Sequence, residues 1–235
     1  YCSIWFLYIE ITFIEFIYKV IFLKKFIMHK TVQNLVSIQK SIKSKLINSE
    51  NNNRIPKIIA VSKTFKIDHI HPLIDYGHLD YGENKVQEAL EKWTDIKLKN
   101  NNINLHLIGK LQTNKVKFAV KIFDYIHSLD SEKLAKKIAE EQKKQNLRPK
   151  IFIQINLGEE SQKSGIMKEN LLDFYNFSKD LGLNIIGTMC IPPFEEDTLK
   201  FFSKMSELNK LINLTELSMG TVSYTHLRAH ETPEH

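Results

Sequence analysis

Lys63 stands in the run IIAVSKT (58–64), one residue past four apolar residues and just before a turn into DHI. An amine at the mouth of a buried strand suits condensation with an aldehyde, provided it is partly desolvated or near other cations and so nucleophilic at neutral pH. A pyridoxal phosphate site is the leading reading, and a surface lysine on a loop is the plain alternative. Lys163, in GEESQKSGI (158–166), is a second candidate amine. It lies in a loop rather than at a strand end and ranks below Lys63. Glu83 and Asn84 follow Gly82 in YGEN. They either orient the lysine or cap a helix, since Asn is a strong N-cap and Gln87 stands three residues further on. His106, between Leu105 and Leu107, points to the opposite side of its strand from both leucines. It is either close to a ligand or a satisfied core histidine.

The elements that must position these groups alternate along the chain. Apolar runs at 58–62, 76–81, 104–108, 123–128, 150–157, 184–190 and 214–218 read as strands. The fifth of them, KIFIQINL, is rich in β-branched and aromatic residues. Helical patterns lie between. Leu134 and Ile138 fall one turn apart in 131–145, and Leu199, Phe202, Met205, Leu208 and Leu211 form a stripe in 196–212. No Gly-x-Gly-x-x-Gly follows any strand, which weakens a dinucleotide-binding fold. Repeated strand–helix units predict an α/β protein, a TIM-type β/α barrel whose eighth strand is missing from this chain. In such barrels chemistry collects at the C-terminal ends of strands. That rule selects Lys63, then Tyr81, Gly82, Glu83 and Asn84, then His106, Gly109, His127 and Ser128, and further round Asn156, Met189, Ser218, Met219 and Gly220.

Both ends differ from the body. The apolar stretch 4–23 contains Glu10, Glu15 and Lys19, charges that are costly inside a bilayer. No basic leader or small-residue cleavage site marks a signal peptide. Residues 1–27 therefore read as a non-native upstream segment, and Met28 opens an amphipathic helix. After Gly220 the tail has no Lys, Asn or Ile, and residues 221–235 read as foreign to the gene. Residues 28–220 suffice for one domain. The formal charge of +6 comes from lysines dispersed among acids, with no aromatic-interleaved basic patch. No nucleic-acid partner is expected. Cys2 and Cys190 are the only cysteines, too few for a disulfide framework or zinc cluster. A reducing, cytoplasmic setting fits, and Cys190 reads as a small core residue.

Seven segments, AVSKT (60–64), YGENKVQEA (81–89), HLIGKLQTNK (106–115), IHSLD (126–130), QINLGEESQKSG (154–165), GTMCIPP (187–193) and ELSMG (216–220), resemble the pyridoxal phosphate homeostasis protein family. These proteins are similar to the barrel domain of alanine racemase. The resemblance implies a cofactor held as a Schiff base on Lys63, with Asn84, His106, Met189, Ser218 and Gly220 as further binding residues. It implies a non-catalytic role in intracellular vitamin B6 and amino-acid and keto-acid homeostasis. The expected partners are the small-molecule cofactor and, transiently, apo-enzyme acceptors, and a monomer away from membranes is expected. A low-activity amino-acid racemase is the alternative. The resemblance stops after Gly220, where Thr221 and Val222 replace the Met-Ser pair of the family. Residues that complete the phosphate cup are then expected to be lost, and an open sheet edge would favour aggregation.

Overall fold

A computed structural model describes residues 28–47, 55–157, 164–192 and 198–219. The proposed segments 1–27 and 221–235, Lys163 and Gly220 lie outside the described residues. Two compact units divide the chain.

The first unit contains helix α1 (Lys30–Ile47) and the short helix α2 (His71–Asp75), with a 3-10 turn at Ile67–His69. Pro72 fits the first turn of α2, where a missing N–H costs nothing. Gly77, at φ 93°, provides the left-handed residue that follows that helix. Residues 76–79, expected as the start of a strand, are thus taken up by this turn, and the strand begins at Asp80.

The second unit holds seven parallel strands in the order of the sequence. They are β1 (Ala60–Val61), β2 (Asp80–Glu83), β3 (Asn104–Leu107), β4 (Tyr125–Leu129), β5 (Lys150–Gln154), β6 (Asn184–Cys190) and β7 (Glu216–Met219). Helices α3 (Val86–Lys99), α4 (Val116–Ile122), α5 (Glu132–Gln145), α6 (Leu171–Asp180) and α7 (Thr198–Leu211) connect them. This is the expected α/β architecture of the β/α-barrel type, and the described strands match the seven apolar runs in number and order.

Strand alternation divides the sheet chemically. Leu105, Leu107, Ile126, Ile151 and Ile153 are fully buried on the face turned to the helices. On that face Tyr81 packs its ring on Trp93 of α3, with centroids 4.7 Å apart, and the Thr188 hydroxyl donates to Asn209 of α7 at 3.1 Å. Each fully buried leucine or isoleucine stabilises the fold by about 1.5–3 kcal/mol. The opposite face carries polar and aromatic groups in register. His106 lies opposite Tyr125, Tyr125 opposite Lys150, Gln154 opposite Met189, and Met189 opposite Ser218.

Helix α5 buries Leu134 and Ile138 as its spacing predicts. In α7, Met205 and Leu208 are buried, but Leu211 is 68% exposed. The stripe continues four residues beyond Leu208, at the buried Ile212, rather than three. The helical period of 3.6 makes both steps plausible on paper, and the turn at the helix end selects the second. Cys190 is buried, as expected, and desolvation pushes its thiol up to about 11.

At Gly187 an added Cβ would fall 1.8 Å from the Glu216 carbonyl oxygen on β7. Gly187→Ala must therefore separate two paired strands. It is expected to cost about 1–3 kcal/mol, as overpacking does. Urea unfolding reads this as a lower midpoint, and an unchanged midpoint would contradict the close approach.

Candidate functional site

Lys63 begins the turn that follows β1, two residues past Val61. Val61 is the register partner of Gly82, so Lys63 and Asn84 stand at matching positions beyond β1 and β2. Lys63 is half-buried and makes no hydrogen bond or ion pair with any described residue. Asn84 does not cap α3. The N-cap position is Lys85, without a side-chain bond, and Gln87 turns instead to Glu91 at 3.0 Å. Asn84 matters to the backbone in another way. A Cβ at Gly109 would lie 2.3 Å from the Asn84 carbonyl oxygen, so only glycine lets the loop after β3 pass this close.

Glu83 is fully buried on the helix-facing side of β2. Its Oε1 accepts from the Ser62 hydroxyl at 2.7 Å, Lys92 Nζ at 2.8 Å and the Trp93 indole at 3.0 Å. Its Oε2, also buried, has no partner among the described residues. Glu83 thus reaches the residue before Lys63 and not Lys63 itself.

A second polar assembly occupies the other face of the sheet. Asp80 Oδ1 lies 3.1 Å from His106 Nε2, His106 Nδ1 lies 2.9 Å from His127 Nε2, and His127 Nδ1 lies 2.7 Å from Ser218 Oγ. The chain links β2, β3, β4 and β7. Tyr125 stacks on His106 with centroids 4.2 Å apart, and Phe152 stacks on His127 at 4.4 Å. An ionised Asp80 only accepts, which makes His106 Nε2 a donor. Neutral His106 then accepts at Nδ1 from the His127 Nε2–H, and His127 Nδ1 accepts from the Ser218 hydroxyl. A proton added at His106 Nδ1 would leave the bond to Asp80 unchanged, reverse the two bonds beyond it and free the Ser218 O–H to donate outward.

The sequence-predicted residues therefore fall into two sets. Lys63 and Asn84 sit together at the strand ends. His106, Met189 and Ser218 share the polar face, with His106 and Ser218 joined through His127. His106 is the satisfied histidine of the two readings: it is 2% exposed and bonded at both ring nitrogens. Met189 is equally buried, whereas Ser218 and Asn84 are half-exposed. Sequence reading missed Asp80, Ser62 and Lys92. Asp80 was marked only by its alternation with Gly82 and Asn84, and Lys92 only by its i,i+4 spacing from Glu88. Two surface grooves, about 770 and 530 Å³, lie beside Thr113 and Asn114 and include neither set. Among the described residues no His, Cys, Asp and Glu cluster could hold a metal ion.

Fold and site define a β/α barrel of the racemase type with a lysine beyond its first strand. The sequence model described as "Alanine racemase, N-terminal domain" matches residues 43–229. Within that class, the chain belongs to the pyridoxal phosphate homeostasis protein family. It is 36% identical over 174 residues to the pyridoxal phosphate homeostasis protein of Aquifex aeolicus (strain VF5), covering 70% of this chain and 75% of that one. The namesake from Pasteurella multocida (strain Pm70) is 34% identical over 166 residues, covering 70% and 71%. Among solved structures, PipY of Synechococcus elongatus PCC7942 with PLP bound is similar at a TM-score of 0.65 and 30% identity, covering 77% of this chain and 89% of PipY. Alanine racemase of Clostridium difficile 630 shares the fold alone, at a TM-score of 0.56 and 12% identity, covering 82% of this chain and 52% of the racemase.

Burial is the main cause that lowers His127 from 6.5 to about 3, and the repulsion that a proton on the neighbouring His106 would exert acts in the same direction. In the unfolded chain the same ring takes up a proton near pH 6.5. Between those values the unfolded state binds more protons. Stability is therefore full above about pH 6.5 and falls as pH drops toward about 3, with a slope approaching about 1.4 kcal/mol per pH unit. Replacing the ring by His127→Gln is expected to flatten urea stability across that range. Equal slopes in parent and variant would contradict the assignment.

Proposed function

We propose that this chain binds pyridoxal phosphate through Lys63 and serves as a non-catalytic carrier in intracellular vitamin B6 and amino-acid and keto-acid homeostasis. The observation that carries this reading is an amine at the end of the first barrel strand with no competing partner among the described residues. The bound group supplies an aldehyde carbon that condenses with a primary amine and releases water. The chain's own groups fit such an occupant. Lys63 provides the nucleophile and is half-buried at the strand end. Asn84 stands beside it with an amide that can both donate and accept. Ser218 is half-exposed at the β7 end of the histidine chain and can turn its hydroxyl to an anionic group.

His106 and Met189 act from beneath. Both are buried, so His106 works by setting the proton direction at Ser218 through His127, and Met189 by packing beside Ser218 in register. Gly220 belongs to the same proposal as the residue next to the end of β7. The names of the relatives and the PLP bound in PipY support the choice of cofactor. A carrier of this kind works in the cytoplasm as a monomer and hands its cargo transiently to apo-enzymes. No described helix is long and apolar enough to cross a membrane.

Equilibrium dialysis of the full chain with pyridoxal phosphate, beside Lys63→Ala, tests the reading. The parent is expected to bind, and the variant to bind at least about tenfold more weakly, a loss of about 1.4 kcal/mol. Amino acids incubated with the loaded protein in deuterium oxide are expected to keep their α-protons. Exchange that disappears in Lys63→Ala would favour the racemase alternative, and absence of binding by the parent would overturn the cofactor assignment.

A further inference from the structure

Lys63 is flanked by two peptide planes, and a different residue of α3 holds each of them. The carbonyl of Ser62 belongs to the plane before Lys63, and Lys92 Nζ donates to it at 2.8 Å. The N–H of Thr64 belongs to the plane after Lys63, and it donates to Glu88 Oε1 at 2.6 Å. Fixing both planes fixes the φ and ψ of Lys63, and with them the direction in which its side chain leaves the backbone. Further bonds secure the turn to β2. The Ser62 N–H donates to the Gly82 carbonyl at 2.9 Å and its hydroxyl to Glu83 at 2.7 Å.

The turn needs such holding. Thr64 sits at φ 65°, a left-handed conformation that a β-branched residue rarely adopts. Conformations of this kind persist where the surroundings over-determine them, and they cluster at functional sites. The holding groups are half-buried and bonded to one another. Lys92 divides its three protons among the Ser62 carbonyl, Glu83 at 2.8 Å and Glu88 at 3.0 Å, and its side chain is only 10% exposed. Partial burial works to raise the Glu88 carboxyl, but the hydrogen bonds from Lys92 and the Thr64 N–H prevail and hold it below its ordinary value.

From this geometry we infer that Glu88 and Lys92 are positioning residues for the Lys63 amine, acting through the Ser62–Thr64 backbone. The inference rests on the reading of Lys63 as the cofactor amine. It also assigns different roles to two lysines of one neighbourhood. Lys92 spends every proton on protein acceptors, whereas Lys63 has no described partner and is the one left to react. The clamp comes from α3, so a change on that helix alters the site without touching a ligand.

Glu88 is the better place to test this, because Lys92→Met would strand the buried Glu83 carboxylate and endanger folding. Three forms of the full chain are compared: the parent, Glu88→Ala and Glu88→Gln. The first readout needs no cofactor and is hydrogen–deuterium exchange at the Thr64 amide. Glu88→Ala is expected to exchange at least about tenfold faster there with little change in urea midpoint, and Glu88→Gln, which keeps an acceptor oxygen, to restore most of the protection. The second readout is the rate at which added pyridoxal phosphate becomes borohydride-stable on Lys63. A fall of at least about tenfold in Glu88→Ala, recovered in Glu88→Gln, supports the inference. Unchanged Thr64 exchange, or faster exchange with an unchanged capture rate, overturns it. Failure of the parent to capture any cofactor overturns the reading of Lys63 instead, and the exchange data still decide whether the clamp exists.

Discussion

A carboxylate without access to water sits at the end of β2, and the neighbouring end of β1 is arranged around it. Moving an ion of this size out of water costs several kcal/mol even after the protein relaxes, so Glu83 must be compensated where it lies. A cation, an indole N–H and a hydroxyl meet on its Oε1. Each donor brings a different element with it. Ser62 ties in the turn after β1, while Lys92 and Trp93 fix the rotation of α3 about its axis. The same ammonium then extends to the Ser62 carbonyl, and Glu88, one turn earlier on the helix, takes the Thr64 N–H. One buried charge thereby dictates the strand end, the helix face and the strained turn that presents Lys63.

The other face of the sheet obeys a different constraint. Its polar groups cannot all find partners within one strand, because side chains on a strand alternate and same-face neighbours belong to adjacent strands. Asp80, His106, His127 and Ser218 solve this by bonding across the sheet, and Tyr125 and Phe152 cover the imidazole rings. Burial keeps His127 neutral, which leaves the chain a defined proton direction.

Much of the architecture was legible because strands and helices leave different periods in the sequence. Runs such as KIFIQINL and the Leu134–Ile138 pair name their elements directly. The second strand begins later than its apolar run suggests because LIDYGHLDYGE mixes turn and strand signals, and the left-handed Gly77 marks where the turn ends. The stripe on α7 was read one residue short of Ile212, since a helix end admits either step. Lys63 was visible through its place after an apolar run. Its supports were not, because Lys92 lies 30 residues from Ser62, and Ser218 lies 91 from His127. Such pairings arise from strand order and register, which no local pattern encodes. His106 illustrates the limit: its orientation followed from alternation, but its two partners did not.

The amine of Lys63 is the group proposed to hold pyridoxal phosphate. Reduction of the full chain with borohydride in the presence of the cofactor, followed by peptide mass mapping, addresses it most directly. A single adduct on the peptide that carries Lys63, with Lys92 unmodified, is the predicted result. A folded protein whose adducts scatter over surface lysines, or spare Lys63, would contradict the account.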